Sequence, residues 1–226
     1  LPSYQVNDSK ELPPEINFTR KELGLPEKGL IFCCFNNTYK IMPTVFNSWA
    51  RILNDVKESV LFIYVDNELA KINLTKEIIM RGVDSSRLIF GGRLSRPEYL
   101  ARYRIADLFL DTRPFNAGTT ASDALRMGLP VLTLEGRSFN SREAASIIRS
   151  LNLPELITNS EKEYETLAVE LGNDPEKLKF IKEKLASNLS TAPLYDTPMF
   201  TKNLESAFAQ MYYRYQQGLE PKHIYL

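Results

Sequence analysis

The chain has 226 residues, 43% of them apolar and 25% charged, which is enough to bury the core of one large domain or two small ones. Lys+Arg and Asp+Glu both number 28, so the formal net charge is zero and no bulk field draws the chain to nucleic acid or to an anionic membrane; neither is expected as a partner. No apolar run approaches the roughly 18 residues that a membrane-crossing helix needs.

In chain order, residues 1–28 come first. They are rich in Pro, Asp and Lys, show no periodicity, and read as a lead-in segment or linker. Their opening, LPSYQVNDSKELPPE, has neither the basic n-region nor the apolar h-region of a signal peptide. A regular alternation then begins. Apolar, β-rich runs at Gly29–Phe35, Ser59–Val65, Arg87–Gly91, Asp107–Asp111 and Pro130–Leu134 predict strands. The first run carries both cysteines, Cys33 and Cys34; adjacent strand residues point to opposite faces, so no internal disulfide is expected, and two free thiols fit a cytoplasmic setting.

Helix-length segments at roughly 43–57, 67–82, 95–104 and 119–128 separate the strands. In the first, Val45, Trp49, Ile52, Leu53 and Val56 follow the spacing of a half-buried helix. Strands alternating with helices in this way predict right-handed βαβ units and a doubly wound, Rossmann-like α/β domain over 29–190. Beyond residue 138 the pattern predicts helices at 139–150, 160–172, 174–188 and 197–217, a short strand at Leu156–Ile157, and a helical tail over 191–226.

Open α/β sheets bind ligands beyond the carboxyl ends of their strands, where helix N-termini favour phosphate. Three loops of that kind stand out. FNNTYKI (Phe35 to Ile41) offers the amides Asn36 and Asn37, Thr38, and a cation at Lys40 near a helix start. GGRLSRPEYL (Gly91 to Leu100) offers Arg96 and Tyr99 for a base or ribose, or else a Ser95 cap with Tyr99 as helix packing. FNAGTTASDAL (Phe115 to Leu125) offers Gly118, Thr119 and Thr120 for an anion and Asp123 for a ribose diol, or else a Thr120-x-x-Asp123 capping box. Phosphate- and ribose-compatible residues on three loops of one sheet edge point to a nucleotide.

FCCFNNTYKI, RLIFGGRLSRPEYLARYRIADLFLDT, FNAGTTASDALRMGLPVLTLEG and SREAAS resemble the catalytic region of protein O-GlcNAc transferases, the bacterial, tetratricopeptide-associated members above all. The resemblance runs from SYQVND to the final helix. It implies a GT-B architecture, two Rossmann-like domains facing a cleft, with this chain as the C-terminal, donor-binding half of an inverting transferase that moves GlcNAc or a related sugar from UDP to Ser or Thr. Lys40 then corresponds to the lysine on the donor diphosphate and Asn37 to a nearby amide; Leu94, Arg96 and Tyr99 fall at the uridine; Gly118, Thr119 and Thr120 form the phosphate loop; and Asp123 is the ribose-binding acid. Animal members carry His at the positions of Gly118 and Tyr99, so this chain departs from them at both. The implied donor is a UDP-sugar, with no metal or other cofactor, and the implied partner is a protein acceptor reached through a domain and repeats ahead of this chain.

A general base is not evident. His223 lies in the polar tail GLEPKHIYL, and nothing in the sequence distinguishes the acids Glu98, Asp111 and Glu135. Other GT-B relatives, among them small-molecule glycosyltransferases and UDP-GlcNAc 2-epimerases, and a non-catalytic nucleotide sensor remain as alternative readings.

Overall fold

The computed structural model describes residues 4–226. The apolar runs become short parallel strands: β1 (Ile31–Cys34), β2 (Val60–Tyr64), β3 (Leu88–Gly91), β4 (Leu108–Leu110), β5 (Val131–Leu134) and β6 (Ile157–Thr158). Their order in the sheet is β3-β2-β1-β4-β5-β6, with every pairing parallel. Both faces of such a sheet are covered, which is why these strands read as continuous apolar runs without alternation.

Helices follow the strands: α1 (Pro43–Asp55), α2 (Glu68–Met80), α3 (Arg96–Arg102), α4 (Thr119–Arg126), α5 (Glu143–Ser150), α6 (Glu161–Asn173), α7 (Pro175–Leu189) and α8 (Thr197–Gln216). Val45, Trp49, Ile52 and Leu53 turn the apolar stripe of α1 into the core. The Trp49 indole donates to the Tyr164 hydroxyl of α6 (3.2 Å), which donates in turn to the Asp111 carbonyl at the end of β4 (3.0 Å). One buried chain of hydrogen bonds thus ties two helices to the strand that carries the third loop.

The segment expected as a helix over 139–150 is broken. A 3-10 turn over Phe139–Ser141 precedes α5, with Arg142 between them. Cys33 and Cys34 are buried free thiols, and burial pushes both above the ordinary thiol range. No helix among the described residues is long and apolar enough to cross a membrane.

Residues 4–17 do more than lead in. They lie across α4 and the start of α8. The Asn7 side-chain amide donates to the Leu194 carbonyl (2.9 Å), and the Ser9 backbone N–H donates to Thr197 Oγ1 (3.0 Å). The Ser122 hydroxyl of α4 donates to Asn7 Oδ1, and the Arg126 guanidinium donates to the carbonyls of Glu11 (2.7 Å) and Asp8 (2.8 Å). At the far end, Arg104 donates to the Pro14 carbonyl (2.9 Å).

Candidate functional site

Strand order reverses direction between β1 and β4, and the crevice beyond their carboxyl ends is where a doubly wound sheet receives a ligand. The loop after β1 carries Lys40 and the loop after β4 carries Gly118, so a cation and a small-residue turn flank this crevice. The structure brings them into contact. Lys40 closes a 3-10 turn (Thr38–Lys40), and its Nζ donates to the Asn116 carbonyl at 2.9 Å while lying 3.7 Å from the centroid of the Phe115 ring. Partial burial lowers the Lys40 pKa, and the nearby Asp111 and Glu143 carboxyls oppose that shift.

The β4–α4 loop is built around Asp111. This buried carboxylate accepts hydrogen bonds from the Thr112 and Ala117 backbone N–H groups (both 2.7 Å), from Thr133 Oγ1 (2.7 Å) and from the Asn36 side chain (3.2 Å). Two backbone donors five residues apart on one oxygen fold the loop back on itself. Asn36 also donates to Thr112 Oγ1 (2.8 Å) and accepts from the Thr120 hydroxyl, which joins the β1 loop to the first turn of α4. Burial pushes the Asp111 carboxyl up to about 6, against its hydrogen bonds and the Lys40 charge.

Gly118 is the N-cap of α4 and supplies no side chain to cap it. Ala121 and Ser122 are the first residues to donate back, both to the Gly118 carbonyl (3.0 and 3.1 Å). The N–H groups of Thr119 and Thr120 are therefore left at the helix end without a helical acceptor, the arrangement that suits an anion. The capping-box alternative does not form: the Thr120 hydroxyl donates to Asn36, and Asp123 accepts from Arg96.

Asp123 is buried and receives both terminal nitrogens of Arg96, at 2.7 and 2.8 Å. The same guanidinium grips Glu11 from the N-terminal segment with two bonds of 2.8 Å. The sequence suggests that Arg96 and Asp123 each meet a ligand separately; the structure pairs them instead. An ionised carboxylate offers about four lone-pair sites, so two remain on Asp123 for a diol. We expect Asp123→Ala to weaken UDP binding more than it weakens 2′,3′-dideoxy-UDP in a titration of both. Equal losses with a Tm several degrees lower assign Asp123 to structure alone.

Ser95 caps α3 in a reciprocal box with Glu98, as the structural alternative for that loop has it. Tyr99 is half-buried, and its hydroxyl shares a hydrogen bond with that of Tyr103 (2.5 Å). Its ring also lines a cavity of about 170 Å³ with Phe35, Tyr64, Leu94 and Arg102. Arg102 escapes a reading of the sequence alone, because by spacing it is one more polar residue at the end of a helix. In the structure its guanidinium is buried 3.8 Å from the centroid of Phe35, with Nε unpartnered. A small cavity lined by three aromatic rings and a buried guanidinium suits stacking with a planar ring. Asn37 stands exposed at the mouth of the β1 loop.

The acids that the sequence leaves open are all engaged. Glu98 serves the Ser95 cap, Asp111 holds its loop, and Glu135 is bound by both terminal nitrogens of Arg149 (2.7 and 2.6 Å). His223 is exposed, in the tail beyond α8. A carboxyl that the sequence does not mark, Glu143, reaches the crevice; burial raises its pKa, and Lys40 opposes the rise. Among the described residues no group of three His, Cys, Asp or Glu side chains could hold a metal ion.

The sequence matches the family model of glycosyl transferase family 41 over residues 4–204. The chain belongs to that family. Similar family members include a UDP-N-acetylglucosamine–peptide N-acetylglucosaminyltransferase of Caenorhabditis elegans, 32% identical over 98% of this chain and 19% of that protein. A probable enzyme of the same name from Arabidopsis thaliana, SEC, is 34% identical over 97% of this chain and 23% of its own length. The chain thus spans about a fifth of these relatives. A solved O-GlcNAc transferase mutant from Thermobaculum terrenum superposes with a TM-score of 0.78 at 30% identity, covering 93% of this chain and 39% of that one. The fold alone is shared with the C-terminal domain of a group 1 glycosyl transferase, LpcC, from Francisella tularensis, at TM-score 0.61 and 16% identity over 82% of this chain and 97% of that domain. The family match begins at Tyr4, so the N-terminal segment that lies over α4 is within it.

Proposed function

We propose that this chain is the UDP-sugar-binding half of an inverting glycosyltransferase that moves GlcNAc, or a related sugar, from UDP to Ser or Thr hydroxyls of proteins. The observation that carries this reading is the meeting of Lys40 with the Gly118–Thr120 turn across the β1/β4 crevice, in a chain of this family. The cation and the free N–H groups of α4 hold the two phosphates, Asp123 takes the ribose hydroxyls, and the cavity beside Arg102, Leu94 and Tyr99 receives the base. The relatives' names, peptide N-acetylglucosaminyltransferases, support the sugar and the acceptor class.

In such a transfer the acceptor hydroxyl attacks the anomeric carbon, the bond to the diphosphate breaks, and charge accumulates on the departing UDP. Lys40 and the end of α4 are placed to stabilise that charge electrostatically, which needs no metal. The proton of the acceptor must go to a base; Glu98, Asp111 and Glu135 are already committed, while Glu143 lies beside Gly118 with its pKa raised by burial. The family resemblance implies that the acceptor site and the base lie in a preceding domain; transfer by the short chain alone would point to Glu143 instead.

The test is radiolabelled UDP-GlcNAc with a mixed Ser/Thr peptide pool, run on the 226-residue chain and on the same chain joined to the family's preceding domain. We expect UDP binding by both and sugar transfer by the second alone. Turnover by the short chain refutes the division of labour. Binding with no transfer by either favours a nucleotide sensor.

A further inference from the structure

We propose that Tyr4 is a donor-positioning residue whose hydroxyl takes the place of a side chain at position 118 and donates a hydrogen bond to the second phosphate of the bound nucleotide. The proposal rests on the UDP-sugar reading and adds to it a residue from outside the Rossmann core.

A Cβ on Gly118 would lie 2.6 Å from Tyr4 Oη and 3.5 Å from Glu143 Oε2. The phenol therefore occupies the space directly above the turn whose N–H groups face the crevice. It is there by construction. The ring packs edge-on against Phe139, with centroids 5.4 Å apart, and three residues later Asn7 is fastened to Ser122 of α4 and to Leu194. The segment that delivers Tyr4 is thus bound to the helix whose N-terminus it covers. The hydroxyl has no hydrogen-bond partner among the described residues. Burial and the carboxyls of Glu143 and Asp111 push it up to about 12, so it stays protonated and can donate near neutral pH. The charged groups that act on it are the carboxyls of Glu143 and Asp111, and it stands at the Gly118 end of α4; a neutral donor adds affinity for an anion here without adding a charge.

The experiment is a double-mutant cycle read by calorimetric titration of the full chain with UDP and with UMP. Tyr4→Phe should weaken UDP roughly tenfold, the effect of one hydrogen bond to a charged acceptor, and UMP less than twofold. Gly118→Ala should also weaken UDP, because the methyl displaces the hydroxyl. In the Tyr4→Phe background it should cost little more, since the nearest remaining ring atom, Cζ, lies 3.9 Å from that methyl. Backbone strain from the alanine enters both backgrounds and cancels in the cycle. Equal losses of UDP and UMP in Tyr4→Phe, or strict additivity in the cycle, overturn the role of Tyr4 while leaving the UDP-sugar reading in place. If the unmodified chain binds neither nucleotide, that reading falls and the role of Tyr4 falls with it.

Discussion

Replacing Lys40 with alanine is expected to weaken UDP binding by about 1.5–3 kcal/mol, the scale of a charge-assisted hydrogen bond. Four neighbours of Lys40 set the size. Without ligand, Lys40 donates to a neutral carbonyl on Asn116 and rests against Phe115, while two carboxyls, Asp111 and Glu143, share its field. A diphosphate exchanges the neutral acceptor for an anionic one, and the half-buried position keeps the gain from being screened as it would be at an open surface. UMP, lacking the second phosphate, should lose less. The comparison is a pair of titrations, UDP and UMP, on each protein. Identical losses for the two ligands remove Lys40 from the diphosphate.

The second large effect concerns stability. Asp111→Ala deprives two backbone N–H groups, the Thr133 hydroxyl and the Asn36 amide of one shared acceptor. The loop can open to water and recover part of the loss, so a cost of about 2–4 kcal/mol is expected, or a fall in Tm of roughly 5–15 °C. The pH dependence has a definite sign. An aspartate titrates near 3.9 when unfolded and is pushed up to about 6 here, so between those values the folded chain holds the extra proton. Its contribution to stability is complete below about 4 and is lost as pH rises through about 6. The alanine variant should lack that slope, which calorimetric scans from pH 4 to 7.5 will show. A Tm within 2 °C of the parent at pH 7.5 means that something other than Asp111 shapes the loop.

Much of the fold is legible in the sequence because it rests on local periodicity. Runs such as Ile31–Cys34 are apolar throughout since both faces of their strand are covered, and the stripe on α1 announces its buried face. The crevice loops are legible for a related reason: Gly118 and Lys40 are unusual residues where a strand hands over to the next element. Other parts of the site depend on partners distant in the chain. Thr120 and Asp123 have the spacing of a capping box, yet their partners are Asn36 and Arg96, which no local pattern pairs with them. Arg102 reads as solvated because nothing near it in sequence reveals that Phe35 and Phe62 will close around it. The N-terminal segment reads as a linker because single side chains and backbone carbonyls hold it, and these leave no periodic trace.

The knot at Asn7 has a mechanical consequence. Its side chain and carbonyl join the N-terminal segment, the turn ahead of α8 and the middle of α4 at a single point. Tyr195 adds a second fastening there, its hydroxyl donating to the Ser122 carbonyl at 2.7 Å. A body attached ahead of the segment or beyond α8 therefore pulls on the helix whose first turn faces the crevice. Torque from such a body would reach Gly118 through one short helix, without crossing the sheet; under the proposed function, rotation of a second lobe and the hold on the donor phosphate would then be one motion.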